Sequence, residues 1–240
     1  PQARNAALHA AIGQGATWLA FLDDDESPHP DWIARLVAGA RAGGFDLCGG
    51  PVAVRPPPGR LSETEAGALR YLQAQAQDRS ARRAAGDVSA LPTSNWLLRL
   101  AARPDDLWFD PALALSGGSD TDFCDRAARA GLRLGWVPDA VVVETPERSR
   151  LTPAYVYRRA KSQTQAKYAI RYTKAGRHAL GKAAFHGVTK GLAGLLRLIA
   201  SRRGSLRRYR ALRSLGIAAG WLSAALGGRS RLYAAPQRSA

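Results

Sequence analysis

Three observations predict an α/β fold, with a mostly parallel sheet flanked by helices and followed by a basic helical C-terminal region. Short apolar runs rich in β-formers alternate with amphipathic helical stretches along the first 150 residues, the order expected of such a sheet. The best marked run, Thr17-Trp-Leu-Ala-Phe-Leu22, stops abruptly at Asp23-Asp24-Asp25-Glu26, as a buried strand does when it reaches a sheet edge. From Leu151 onward the apolar spacing becomes helical and acidic residues disappear, which sets the expected boundary between residues 1–150 and residues 151–240.

The elements follow in order. Residues 3–12 are Ala-rich, with Leu8 and Ile12 four apart and Gly13 or Gly15 as the stop, so they predict a short helix leading into the Asp-tipped strand. A second helix is expected from Pro30 or Asp31 to about Ala42, with Trp32, Ile33, Leu36, Val37 and Ala40 on one face and Gly43-Gly44 at its end. Residues 45–54 read as a strand closed by Arg55-Pro-Pro-Pro-Gly59. Residues 62–86 are helix-prone and polar; Ser62 and Glu65 have the spacing of a capping box, and the apolar stripe is thin enough to predict a surface helix or loop. Residues 91–99 predict a strand whose polar start, Thr93-Ser94-Asn95, either hydrogen-bonds a hydroxylated ligand or caps a turn. Gly117-Gly118 opens a helix with Ser119 as cap and Gly131 as stop; residues 132–137 and 140–144 then give two further short strands.

Two acidic stretches carry the chemistry. Carboxylates as close as Asp23, Asp24, Asp25 and Glu26 repel one another, so Asp23 and Asp25 suit coordination of Mg²⁺ or Mn²⁺ against a diphosphate. The plain alternative is an acidic turn ahead of a helix start at Ser27-Pro28 and Pro30-Asp31. In the second stretch, Asp122 and Asp125 stand four residues before Arg126 and Arg129, a spacing that pairs them on a helix surface, and acids in a first turn are favoured by the helix dipole alone. The same geometry aims Asp120 out of a glycine-rich loop, where it can act as a general base toward a hydroxyl.

Composition narrows the class. A chain of 240 residues with 46% hydrophobic composition can bury a full core, which excludes a disordered or fibrous protein. Cys48 and Cys124 are the only cysteines, too few for a disulfide framework, and both are expected as buried thiols in a reducing compartment. The absence of Met, including at position 1, predicts that the sequence begins inside a longer reading frame. Residues 151–240 hold 19 of the 35 Lys and Arg and none of the 19 Asp and Glu, so the entire net charge of +16 arises there. Such a region seeks a polyanion.

Four blocks in this order resemble those of a family 2 glycosyltransferase with a GT-A fold, in the manner of bacterial exopolysaccharide-type inverting enzymes. They are Arg4-Asn5-Ala-Ala-Leu8; Phe21-Leu-Asp-Asp-Asp-Glu-Ser-Pro28 with Pro30-Asp-Trp32; Gly117-Gly-Ser-Asp-Thr-Asp-Phe123; and Gly135-Trp-Val-Pro-Asp-Ala-Val-Val142. The resemblance covers residues 3–160. It implies a GT-A-like catalytic domain over 1–150, with Asp23 and Asp25 as a D-x-D metal motif for Mg²⁺ or Mn²⁺. Arg4, Asn5, Asp23 and Asp24 would bind the nucleotide-sugar donor, expected to be a UDP-sugar. Asp120 would be the base, and Asn95, Trp96 and Asp122 would lie on the acceptor side. The acceptor implied is a glycan or a lipid-linked glycan in cell-surface polysaccharide synthesis. Three departures stand out: the family's opening strand has no counterpart, Ser119 precedes Asp120 where relatives carry Glu, and Thr145 occupies the place of a frequent His.

In residues 151–240 the expected helices run over about 153–177, 183–200 and 212–226, with Tyr, Trp and Leu faces among Lys and Arg. None holds the ~18 uninterrupted apolar residues of a spanning helix, so the expected partner is an anionic membrane surface at the cytoplasmic face of the bacterial inner membrane. The plain alternative packs these helices on the first domain with a solvated basic face. Nucleic acid would also account for the basic region but leaves both acidic stretches unexplained, and a catalytically inactive relative is a further alternative. A phosphoryl-transfer enzyme with an Asp nucleophile would need Lys and Ser/Thr motifs that do not follow in order.

Overall fold

The computed structural model describes residues 1–114, 117–172 and 176–228, with the side chains of 170–180 and 182 left aside. Leu115 and Ser116, which open the glycine-rich loop, together with Lys174 and the side chains of Arg171, Tyr172 and Arg177, lie outside the described residues. Contacts divide the chain into two units. One comprises Pro1–Pro57, Leu72–Pro111 and Ser119–Pro146; the other comprises Pro58–Tyr71, Ala112–Gly118 and Glu147–Ala240.

The first unit is α/β. In chain order it contains α1 (Gln2–Gly13), β1 (Trp18–Leu22), β2 (Glu26–Pro28), α2 (Trp32–Gly43), β3 (Leu47–Gly49) and β4 (Val52–Val54). The C-terminal part of α3 (Glu63–Ala84) follows, then β5 (Asn95–Arg99), α4 (Ser119–Arg129), β6 (Leu134–Trp136) and β7 (Val142–Glu144). Both sheets are mixed: one has the order β1-β5-β3-β6, the other β2-β7-β4. β3 pairs parallel with β6 and β4 parallel with β7, whereas β5 runs antiparallel between β1 and β3.

The larger sheet is buried on both faces, and the period of two along its strands sorts its side chains. Trp96 and Leu98 of β5 and Leu47 of β3 join Leu8 of α1 and Phe123 of α4 in one cluster. Leu97 and Cys48, their neighbours in sequence, point the other way, toward Leu36 and Ala40 of α2. The result is a helix-sheet-helix sandwich in which β5 begins beside the end of β1, with Asn95 opposite Leu22. Trp96 is fully buried, stacked at 5.7 Å on Phe21 and edge-on to Phe109 and Phe123.

Two local differences from the sequence expectation have clear causes. Residues 45–54 are two strands, because Gly50-Pro51 carries the chain from one sheet to the other. A Cβ on Gly50 would sit 2.1 Å from the Ala140 carbonyl oxygen, so only glycine permits this crossing. The acidic turn also continues into β2, whose partner is β7.

The second unit is helical: the N-terminal part of α3, then α5 (Pro153–Tyr172), α6 (Gly176–Ile199) and α7 (Leu206–Ala225). The capping box forms as spaced: the Ser62 N–H donates to Glu65 at 2.8 Å and the Glu65 N–H returns to the Ser62 hydroxyl at 3.2 Å. The start of α3 is not a surface element, however. Gly67, Ala68, Leu69 and Tyr71 are buried, and Tyr71 stacks on Tyr209, whose hydroxyl donates to the Thr64 carbonyl at 2.7 Å. α7 begins at Leu206 rather than 212, because Ser205 caps it by accepting from the Arg208 N–H. Small residues let α7 approach its neighbours closely, Gly216 lying over the Tyr157 carbonyl and Gly220 over that of Lys161. No helix among the described residues is long and apolar enough to cross a membrane.

Candidate active site

The acidic edge is built by β1. Its apolar run holds it against β5 and releases the chain at Asp23, after which the Glu26 N–H returns to the Asp23 carbonyl at 3.1 Å in a tight turn. Glu26 then stands directly opposite Glu144 in the β2–β7 pair. Like charges so placed destabilise a sheet unless a proton or cation intervenes. Burial accordingly pushes the Glu26 carboxyl up to about 8, against a hydrogen bond from Ser94 and with the repulsion of Asp23, Glu144 and Asp25 added. Oε2 of Glu26 is buried without a hydrogen-bond partner. Asp23 also has a raised pKa: loss of water is the main cause, Arg4 opposes it, and Asp25, Asp24 and Glu144 reinforce it.

Arg4 joins this edge to the second acidic stretch. Placed by α1, it lies in the Coulombic field of Asp23, donates to the Ser119 hydroxyl at 3.2 Å, and has its guanidinium 5.7 Å from the centre of the Phe109 ring. Asn5 clamps the segment leading to that loop, donating to the Phe109 carbonyl and accepting from its N–H, both at 2.9 Å. The structure thus brings Arg4, Asp23 and the start of α4 together across more than 100 residues of sequence, while the amide of Asn5 is used to hold backbone.

Gly117 and Gly118, with φ of 76° and 91°, turn the chain into α4 in a region of backbone space that favours glycine. Ser119 is buried, and the Asp120 carboxylate accepts the Thr121 N–H at 2.8 Å. Asp122 is held by Arg126 at 2.9 and 2.8 Å, and Arg126 also donates to the Trp108 carbonyl. Asp125 pairs with Arg129 at 2.8 Å.

The acceptor-side expectation is corrected for two residues. Asn95 is fully buried: its Oδ1 accepts from the Trp32 indole at 2.8 Å and its Nδ2 donates to the carbonyls of Ala140 and Pro51 at 2.8 and 3.0 Å. It is a tie between strands, and Trp96 belongs to the aromatic core, so neither offers surface to a ligand. Sequence reasoning missed Arg83 and Glu144, and it offered Ser94 as a ligand contact or turn cap where the structure has it hydrogen-bonding Glu26. Arg83 donates to the Ala90 carbonyl, lies 5.1 Å from the Trp136 ring centre and feels Asp120; its pKa is lowered chiefly by burial. Only its place late in a polar helix hinted at any role.

Among the described residues no three His, Cys, Asp or Glu side chains are grouped as ligands for a metal ion. Hard carboxylate oxygens at a strand edge, with Asp23 already crowded by like charge, nonetheless fit a divalent cation that takes one or two protein carboxylates and completes its shell with substrate phosphates and water.

Glycosyl transferase family group 2 matches residues 18–226 of the chain. The succinoglycan biosynthesis protein ExoM of Rhizobium meliloti (strain 1021) is 33% identical over 159 residues, covering 65% of the chain and 48% of that relative. The chain thus spans about half the length of the relative it matches.

Proposed function

Because the chain belongs to glycosyl transferase family group 2, we propose that it moves a sugar from a nucleotide-sugar donor to a hydroxyl of a glycan or lipid-linked acceptor in cell-surface polysaccharide synthesis. The observation that carries this reading is Arg4, a cation between the Asp23 edge and the loop that presents Asp120.

On this reading the donor, a UDP-sugar, lies along Arg4, Asp23 and Asp24, and Asp23 and Asp25 hold Mg²⁺ or Mn²⁺. The cation, when bound, neutralises charge on the diphosphate. Asn5 acts by fixing the Phe109 segment. Asp120 takes the proton of the acceptor hydroxyl; the freed oxygen forms a bond to the anomeric carbon from the face opposite the diphosphate. The anomeric carbon–oxygen bond breaks with its electron pair on the departing nucleoside diphosphate, and the configuration inverts. Asp122 keeps the acceptor end of α4 in place through Arg126. The buried thiols of Cys48 and Cys124, both free and raised to about 12 by burial, support a reducing compartment. The basic helices then hold the enzyme peripherally at the cytoplasmic face of the bacterial inner membrane.

Calorimetric titration of UDP with and without Mn²⁺ tests the donor half. Metal-dependent binding that disappears in Asp25→Ala supports the proposal; metal-dependent binding retained in that variant removes Asp25 from the site.

A further inference from the structure

Helix α6 is turned the opposite way from an ordinary packed helix. Its small residues face inward: a Cβ on Gly187 would meet Leu222, and one on Gly194 would meet Leu215, both of α7. Its large apolar residues face outward. Phe185, Val188, Leu192, Leu195, Leu196 and Ile199 recur at the spacing of one helical face, and all are exposed, Phe185 at 65%, Leu192 at 59% and Ile199 at 76%. A contiguous apolar stripe of this size marks a surface that something covers.

Charge identifies what covers it. Arg202 and Arg203, three and four residues beyond Ile199, are exposed. Arg197, Arg207 and Arg210, with Leu206, line a cavity of about 470 Å³ between the end of α6 and the start of α7. None of these arginines has an ion-pair partner among the described residues, and residues 151–240 supply no acid. A second copy of so basic a surface would be repelled, whereas the phosphates of an anionic leaflet complement it.

We propose that the exposed face of α6 is a membrane-docking surface that lies in the headgroup–acyl boundary of an anionic bilayer, with Arg197, Arg207 and Arg210 receiving a lipid phosphate. This deepens the peripheral attachment proposed above and is independent of the transfer chemistry. In-plane helices of this kind bind through buried apolar area plus attraction to anionic lipid.

The experiment is co-sedimentation of the full chain with vesicles of phosphatidylcholine alone and of phosphatidylcholine with phosphatidylglycerol. The wild type is expected to partition onto the mixed vesicles. The triple variant Leu192→Glu, Leu196→Glu, Ile199→Glu should lose about a hundredfold in partitioning, with its melting temperature and UDP titration unchanged. Arg207→Glu with Arg210→Glu should lose about tenfold on mixed vesicles only. Inorganic phosphate at millimolar level should not compete; competition would show a free-phosphate site in place of a lipid one. Wild type that fails to partition overturns both membrane attachment and the docking face. Equal partitioning by wild type and triple variant overturns the face alone. Sedimentation velocity showing a wild-type dimer that the triple variant breaks, without vesicle binding, makes the stripe a self-interface.

Discussion

The two acidic stretches differ in what surrounds their carboxylates. In the second, Asp122 and Asp125 each have an arginine one turn later, and the helix start favours negative charge, so most of that acidity is accounted for by the stability of α4. At the strand edge the charges face one another: Glu26 opposes Glu144, and the carboxyls of Asp23 and Glu26 are both raised. A paired acid belongs to the fold, whereas a crowded one carries a repulsion that a proton or a cation would relieve. Asp120 differs within the second stretch: its carboxylate accepts the Thr121 N–H, and no arginine follows it one turn later in the sequence.

Substitutions sharpen this contrast. Asp120→Asn keeps the size and the Thr121 contact and removes the proposed base, so the transfer rate should fall by about a thousandfold, measured as nucleoside diphosphate release at saturating donor. Asp23→Ala should weaken metal-dependent UDP binding by about a hundredfold in calorimetry, since it removes the proposed charge-assisted contact to the cation. Asp46→Asn probes a structural acid of the same unit. Burial opposes ionisation of Asp46, but the Arg133 N–H, at 2.9 Å, and the Arg99 guanidinium outweigh it and lower its pKa. Its stabilising contribution is therefore present above the unfolded value near 3.8 and is lost as pH falls through the lower folded value. The variant should lose about 2 kcal/mol at neutral pH in chemical denaturation, a difference that shrinks below pH ~4. Asp122→Asn is the mildest: about 0.5 kcal/mol in stability, with donor binding unaltered. A loss of UDP binding there as large as in Asp23→Ala would erase the distinction between the two stretches.

What the sequence disclosed, it disclosed through local pattern. The run 17–22 ending in acids, the Gly117-Gly118 entry to α4, the i to i+4 pairs and the Ser62–Glu65 box are each set by residues within a few positions of one another, and each forms in the structure. Long-range pairing was not legible. Nothing local places β5 antiparallel between β1 and β3, sets Glu144 across from Glu26, or brings Arg83 within the field of Asp120. The same limit explains Asn95: its polar neighbours Thr93 and Ser94 suggested a ligand contact, but the carbonyls that bind its amide come from Pro51 and Ala140, on other strands and loops. In the basic region, the arginines around 207–213 obscured the apolar spacing of α7, although Ser205 was a readable cap.

In the proposed reaction the Asp23 edge binds the donor while Asp120 performs the proton transfer. Donor binding and single-turnover transfer measured side by side on wild type and Asp120→Asn, with Mn²⁺ present, test it most directly. UDP-sugar affinity is expected to be unchanged and transfer reduced by about a thousandfold. Transfer at the wild-type rate, or donor affinity lost together with transfer, would contradict it.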